Sequence, residues 1–222
     1  MIKLSNIQKS YKDGENRLNR VLRGVNMEVG GGEFVAIKGA SGSGKTTLLS
    51  ILGTLLQPDE GSYFLGPTDM TNPNETDYSS IRNRRIGFVF QDHRLMPQYS
   101  ALENILLPTL AYKPQASIEE TDYAHRLLEL TNISGVANQY PHTMSGGEAS
   151  RVAVCRALIM KPLILLADEP TGQLDAENAS NIAKLLSEIN QSINTTIVMV
   201  THSDETSSVA HRILTLNNGI LT

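Results

Sequence analysis

Gly39-Ala40-Ser41-Gly42-Ser43-Gly44-Lys45-Thr46 has the residue types and spacing of a phosphate cradle. Its glycines let the backbone wrap closely enough for N–H groups to face an anion, and a helix starting at its end adds partial positive charge. Lys45 is placed to meet the β- and γ-phosphates of a nucleoside triphosphate, the Thr46 hydroxyl to hold Mg²⁺, and Thr47 to extend the contact. A surface Gly/Ser turn that happens to precede a lysine is the bland alternative. Three other polar positions suit the same chemistry. Asp168 follows a buried apolar run and is placed to hold Mg²⁺ through water. Glu169 is its neighbour, so in a regular strand its side chain points the other way; a turn at the strand end would bring it to the γ-phosphate as general base for the attacking water. Gln91 is placed to orient that water or touch the metal. His202 is placed to donate a hydrogen bond to the γ-phosphate, unless it is a helix cap or core-edge imidazole.

These residues need elements to hold them, and the flanking sequence supplies them. Phe34–Ile37 reads as a buried strand before the glycine loop, and Thr47–Leu52 as the helix after it. Gln91 ends the apolar run Ile86–Phe90, Asp168 ends Leu163–Ala167, and His202 follows Thr196–Val200. Unbroken apolar runs of this kind are typical of parallel strands covered on both faces. Ligands bind at the carboxyl ends of such strands, so the four endings are expected to converge on one site.

Around this core, residues 1–30 read as an antiparallel β region, with Asp13-Gly14 as a turn and Tyr11 at the end of the first strand. Tyr11 either packs there or stacks its ring on a base. Pro58–Gly61 reads as a turn, Ser62–Leu65 as a short strand, and Pro73–Thr76 as a loop into a polar helix through Arg84. From Leu102 to Met160 the apolar spacing is helical, which suggests a helical lobe inserted in the α/β core. A helix over Glu177–Ile193 and a hairpin turn at Asn217-Asn218-Gly219 complete the chain.

A second anion-binding feature lies in the helical block. Ser145-Gly146-Gly147-Glu148 opens a helix, and Ser145 with Glu148 fits a capping box. Two glycines in a first turn cost about 1 kcal/mol each against alanine, and a phosphate approaching the backbone would account for them.

The 222 residues carry a net charge of −4, with 40% hydrophobic and 19% charged residues, which gives no electrostatic footprint for nucleic acid. Cys155 is the single cysteine, set among small apolar residues; it cannot form an internal disulfide, which fits a reducing compartment. No apolar run approaches the roughly 20 residues of a membrane helix, and no signal peptide follows Met1, so work at a membrane is expected to need a partner chain.

In these motifs the chain resembles the nucleotide-binding subunit of an ABC transporter along nearly all its length. Gly39–Thr46 are similar to the Walker A motif, Gln91 to the Q-loop, and Met144–Glu148 to the signature. Leu163–Asp168 are similar to Walker B with Glu169 as catalytic glutamate, Leu174-Asp175 to the D-loop, His202 to the switch histidine, and Tyr11 to the adenine-stacking aromatic. Ile86–Gln91, Ala101–Ile105 and Asp168–Gly172 resemble the lipoprotein-release, macrolide-export and cell-division group more closely. Departures are Met144, Glu148, Gln173 and Cys155; the glycines, Ser145 and both acidic residues remain.

The resemblance implies one ABC ATPase domain over 1–222: an α/β P-loop core with a β subdomain in 1–91 and 161–222, and a helical lobe with the signature in 92–160. It implies ATP and Mg²⁺ as cofactors. It also implies a head-to-tail dimer in which each ATP lies between one chain's glycine loop and the other's Ser145–Glu148, with Asp175 among the nucleotide contacts. The partner implied is an integral membrane permease at the cytoplasmic face of the inner membrane, driven for lipoprotein release or for macrolide or peptide export. The alternative is a cell-division type that signals to cell-wall enzymes. A non-transport ABC ATPase fits less well, since residues 92–143 hold neither coiled coil nor zinc module. A P-loop GTPase fits poorly because Asn-Lys-x-Asp is missing. Leu95, Met96, Pro97, Tyr99 and Leu102, just after Gln91, are expected to meet a cytoplasmic helix of the permease, or else to pack the lobe.

Overall fold

A computed structural model of the chain describes residues 1–13, 17–71 and 75–222. Two sheets carry the fold. The first is antiparallel, with β2 (Arg17–Val29), β1 (Ile2–Asp13), β4 (Glu60–Leu65) and β5 (Thr68–Asp69) side by side in that order. The second has six strands in the order β10 (Ile220–Leu221), β9 (Arg212–Asn217), β3 (Phe34–Lys38), β8 (Thr196–Thr201), β7 (Ile164–Asp168) and β6 (Ile86–Val89). Its strands are parallel except β10, which pairs antiparallel with β9. The strands bearing the glycine loop, His202, Asp168 and Gln91 are therefore consecutive: β3, β8, β7, β6.

The unbroken apolar runs have a direct explanation. Side chains alternate faces along a strand. Phe34, Ala36, Leu165, Ala167, Ile197 and Met199 enter one buried cluster, while Val35, Ile37, Ile164, Leu166, Val198 and Val200 enter the other. The first cluster is closed by α4 (Ile118–Leu130), α5 (Gly146–Leu158) and α6 (Ala176–Ile193), and the second by α1 (Lys45–Leu52) and the antiparallel sheet. Between β6 and β7 the chain is mostly helical: α3 (Ala101–Leu106), a 3-10 run over Leu107–Tyr112, α4, two short 3-10 turns and α5.

Some local expectations shift. The strand expected from Ser62 begins at Glu60, because Glu60 already pairs with Gln8 of β1. β5 has two residues, too few for a periodic signal. Helix α2 (Glu75–Arg85) starts inside the stretch read as a loop. Gly14 and residues 73–74 lie outside the described residues.

Candidate functional site

β3 delivers the chain into the loop 39–44, where Gly42 and Gly44 take φ of 77° and 104°, left-handed values that a β-carbon disfavours. Helix α1 then starts on Gly44 with no side-chain cap. By contrast Ser100, Ser117, Ser145, Asp175 and Ser203 (before α7, Asp204–Ser207) each cap a helix with a side-chain oxygen. The first amides of α1 are thus left for an anion. The Ser43 hydroxyl is buried in the same loop with no partner.

A cavity of about 760 Å³ opens on this loop. Ser41, Gly42, Gly44, Lys45, Thr46 and Thr47 form one wall, and Gln91, Glu169 and His202 come in from the ends of β6, β7 and β8. Gly39 and Ala40 sit behind the wall. Their carbonyls accept from Lys45 Nζ at 2.7 and 3.1 Å, which holds the ammonium, only 7% exposed, against the loop. Asp168 does not line the cavity itself, but Thr46, which does, donates from Oγ1 to its Oδ1 at 3.4 Å. Burial raises the Asp168 pKa, and the neighbouring Glu169 charge adds to this; Thr46, Lys45 and Arg94 oppose it.

Glu169 resolves the problem of two adjacent carboxylates. Its φ is 45°, so the backbone reverses directly after the strand, and its N–H donates to the Val200 carbonyl at 3.0 Å. The side chain consequently turns back to the cavity. Its Oε1 lies 3.7 Å from Lys45 Nζ, and its Oε2 lies 2.5 Å from His202 Nδ1. A carboxylate only accepts, so the ring presents Nδ1–H there. The carboxyl is thereby held between a cation and an imidazole, and the exposed ring is not free in this arrangement.

The residues present fit ATP and Mg²⁺. A hydroxyl and a half-buried carboxylate in contact are a hard-cation donor set, and an uncapped helix start with a buried ammonium is an anion site. Thr46 and Asp168, with Gln91 nearby, would hold the metal, which would neutralise phosphate charge.

Not every expected residue reaches the cavity. Tyr11, 42% exposed, pairs across the β1–β2 ladder with Asn19. Asn19 and Val21 do line the cavity, and no sequence signal singled them out; a β2 residue is placed here only by how the two sheets pack. Ser145, Gly146, Gly147, Glu148 and Asp175 do not line it. At the start of α5 the capping box is complete: Glu148 Oε2 accepts from Ser145 N–H at 2.8 Å and Oγ at 2.7 Å, and Ser145 Oγ accepts from Glu148 N–H at 3.3 Å. One of the two glycines has a reason inside the chain. A Cβ on Gly147 would lie 2.8 Å from Asn178 Oδ1, and Asn178 is held by Asp175. A Cβ on exposed Gly146 would meet only Leu174 Cδ2, at 3.3 Å.

The segment after Gln91 divides. Leu95 and Leu102 pack against the buried core, whereas Met96 and Tyr99 are exposed. The buried Asn104 amide pins the loop, accepting from Met96 N–H at 2.7 Å and donating to the Met96 and Tyr99 carbonyls. Cys155 is fully buried, and burial pushes its thiol up to about 12, so it is no nucleophile. Among the described residues no helix is long and apolar enough to cross a membrane.

Comparison with known proteins agrees with this geometry. A family model described as "ABC transporter" matches residues 22–172. The chain is 46% identical over 203 residues to the lipoprotein-releasing system ATP-binding protein LolD 1 of Rhodopirellula baltica, covering 91% of this chain and 88% of that one. It is 39% identical over 222 residues to the macrolide export ATP-binding/permease protein MacB of the same organism, covering 100% of this chain and 32% of that longer one. Among solved structures, the dimeric post-hydrolysis state of the ATP-binding cassette MJ0796 bound to ADP and Pi matches with a TM-score of 0.90 at 39% identity, over 100% of this chain and 96% of that one. A second dimeric structure of that cassette matches equally, at 40% identity.

Proposed function

The chain belongs to the ABC transporter family, and on that premise we propose that it is the ATPase subunit of a lipoprotein-release complex, working as a head-to-tail dimer on a membrane permease. Hydrolysis of ATP to drive a transport partner comes with the family. What the proposal adds is the division of labour among residues and the cargo.

The observation that carries the residue assignment is the Glu169 carboxylate held between Lys45 and His202 at the mouth of an uncapped helix. Lys45 takes the β- and γ-phosphates. Glu169 accepts the proton of the attacking water, so hydroxide character develops only against the γ-phosphorus. Lys45 and His202 hold that carboxylate in place from either side. Gln91 orients the water, and Tyr11, whose ladder partner Asn19 lines the cavity, stacks its ring on adenine. Ser145–Glu148, with Asp175, faces the γ-phosphate bound by the second chain. That reading is supported by their absence from the chain's own cavity and by the dimeric form of the similar cassette. Residues 92–160 act as the helical lobe that carries this face.

Lipoprotein release is favoured over macrolide export because the chain is 46% identical to the LolD 1 relative and 39% identical to MacB. We place the permease contact at Met96 and Tyr99, which are exposed in the segment just after Gln91. The chain then works at the cytoplasmic face of the membrane by attachment. Affinity purification from membranes tests this. A permease with a large extracytoplasmic domain should co-purify, and Met96→Asp should abolish that while leaving ATP binding intact. Retention of the permease by Met96→Asp would move the contact elsewhere, and a drug-efflux permease in its place would favour the macrolide reading.

A further inference from the structure

Arg156 stands near the C-terminal end of α5, and no role above uses it. Its half-buried guanidinium donates from Nη1 to the Arg94 carbonyl at 2.6 Å and from Nη2 to the His93 carbonyl at 2.5 Å. Those two residues hold consecutive left-handed φ values, 57° and 48°. Side chains with a β-carbon avoid that region, and two in succession need an outside constraint. They begin two residues after Gln91.

The turn is otherwise closed on itself. His93 N–H donates to the Phe90 carbonyl at 3.0 Å and Arg94 N–H to the Asp92 carbonyl at 2.5 Å. The Arg94 guanidinium lies 4.1 Å over the Phe90 ring, which stacks on Phe88 at 4.3 Å. Among the described hydrogen bonds, the Arg156 pair is what ties this turn to α5. Burial pulls the Arg156 pKa down, with Asp92 opposing, and none of the described ion pairs includes Arg156. A desolvated cation spent on two neutral carbonyls is a poor device for stability alone. It is a good device for geometry, since the planar fork spans two acceptors at a fixed separation and an ammonium does not.

We propose that Arg156 is a positioning residue for ATP hydrolysis. By holding the His93 and Arg94 carbonyls it keeps the left-handed turn that sets where Gln91 enters the cavity, and it makes that position follow α5, whose other end carries Ser145. The inference rests on the role proposed for Gln91.

The test uses the full chain with Arg156→Lys, which keeps the charge and stem but loses the fork. The melting temperature should stay close to wild type and KM for ATP within about twofold, while kcat falls about tenfold or more, as displacement of a positioned group does. His93→Gly in the Arg156→Lys background should restore part of kcat, because glycine holds the left-handed φ without the clamp. Unchanged kcat in folded Arg156→Lys overturns the proposal, as does a kcat loss that His93→Gly leaves unrelieved. If Arg156→Lys does not fold, Arg156→Gln is read the same way, and failure of both to fold makes Arg156 a stability residue and overturns it. Gln91→Ala separates the two layers. Normal kcat there removes the Gln91 role and this proposal with it, whereas a lowered kcat beside a normal Arg156→Lys removes this proposal alone.

Discussion

Helix α1 follows Gly44 and helix α5 opens on Gly146, and their surroundings are opposite. The start of α1 has no side-chain cap, a buried ammonium facing its own loop carbonyls, an orphaned Ser43 hydroxyl and a carboxylate 3.7 Å from Lys45. The start of α5 is closed: Ser145 and Glu148 satisfy each other, in the same box that begins α3 at Ser100 and α4 at Ser117. A capping box also begins α3 and α4, and so does not by itself mark a site. Nor do the two α5 glycines weigh equally, since Asn178 already accounts for Gly147. The first region is incomplete without a ligand, whereas the second is complete in the monomer. Unsatisfied groups and backbone strain reveal a primary site, while a surface that serves a second chain can look finished in the first.

The contrast breaks most sharply at the charged groups. Lys45→Ala should abolish triphosphate binding, whereas Glu169→Gln should keep it and lower kcat by about 10²- to 10⁴-fold, the range for loss of a general base. Gel filtration of Glu169→Gln with Mg-ATP should show an accumulated dimer. Hydrolysis by Glu169→Gln at the wild-type rate would show that the carboxylate held by Lys45 and His202 is not the base.

A second experiment asks whether α5 serves another chain. Ser145→Arg and Lys45→Ala protein, each inactive alone, should recover about a quarter of wild-type ATPase when mixed equally, since half the dimers are mixed and each has one intact composite site. Activity of the wild-type chain should also rise faster than linearly with its concentration. No recovery together with a linear dependence would place the whole site within one chain.

The smallest effect separates the two reasons for Gly147. Gly147→Ala gains about 1 kcal/mol of helix propensity but drives its methyl into Asn178, at about 1–3 kcal/mol for overpacking. Against Asn178→Ala alone, the double variant Gly147→Ala/Asn178→Ala should therefore melt no lower. If a phosphate also approaches this backbone, the double variant should still lose several-fold in ATPase; equal ATPase would assign Gly147 to Asn178 only.

Much of this was legible in the chain itself. Four apolar runs ending in a glycine loop, Gln91, Asp168 and His202 state a parallel sheet and its chemical edge, because strand alternation and burial on both faces leave a local trace in residue type. The strands matched those runs to within a residue or so, and the four ends converge on one side of consecutive strands. Ser145 with Glu148 was legible as a cap for the same reason, since its partners are three residues apart. Other features were decided by tertiary structure alone. Glu169 turns beside Asp168 through a left-handed residue, about 1–2 kcal/mol of strain, with its N–H satisfied by Val200 on the neighbouring strand. Asn19 and Val21 enter the cavity from the other sheet, Asn178 fills the space that Gly147 leaves, and Arg156 reaches back 62 residues to Arg94. None of these pairs leaves a periodic or short-range pattern, because each depends on where separately formed elements pack, and that is set by the burial of both faces of the sheet at once rather than by any one segment.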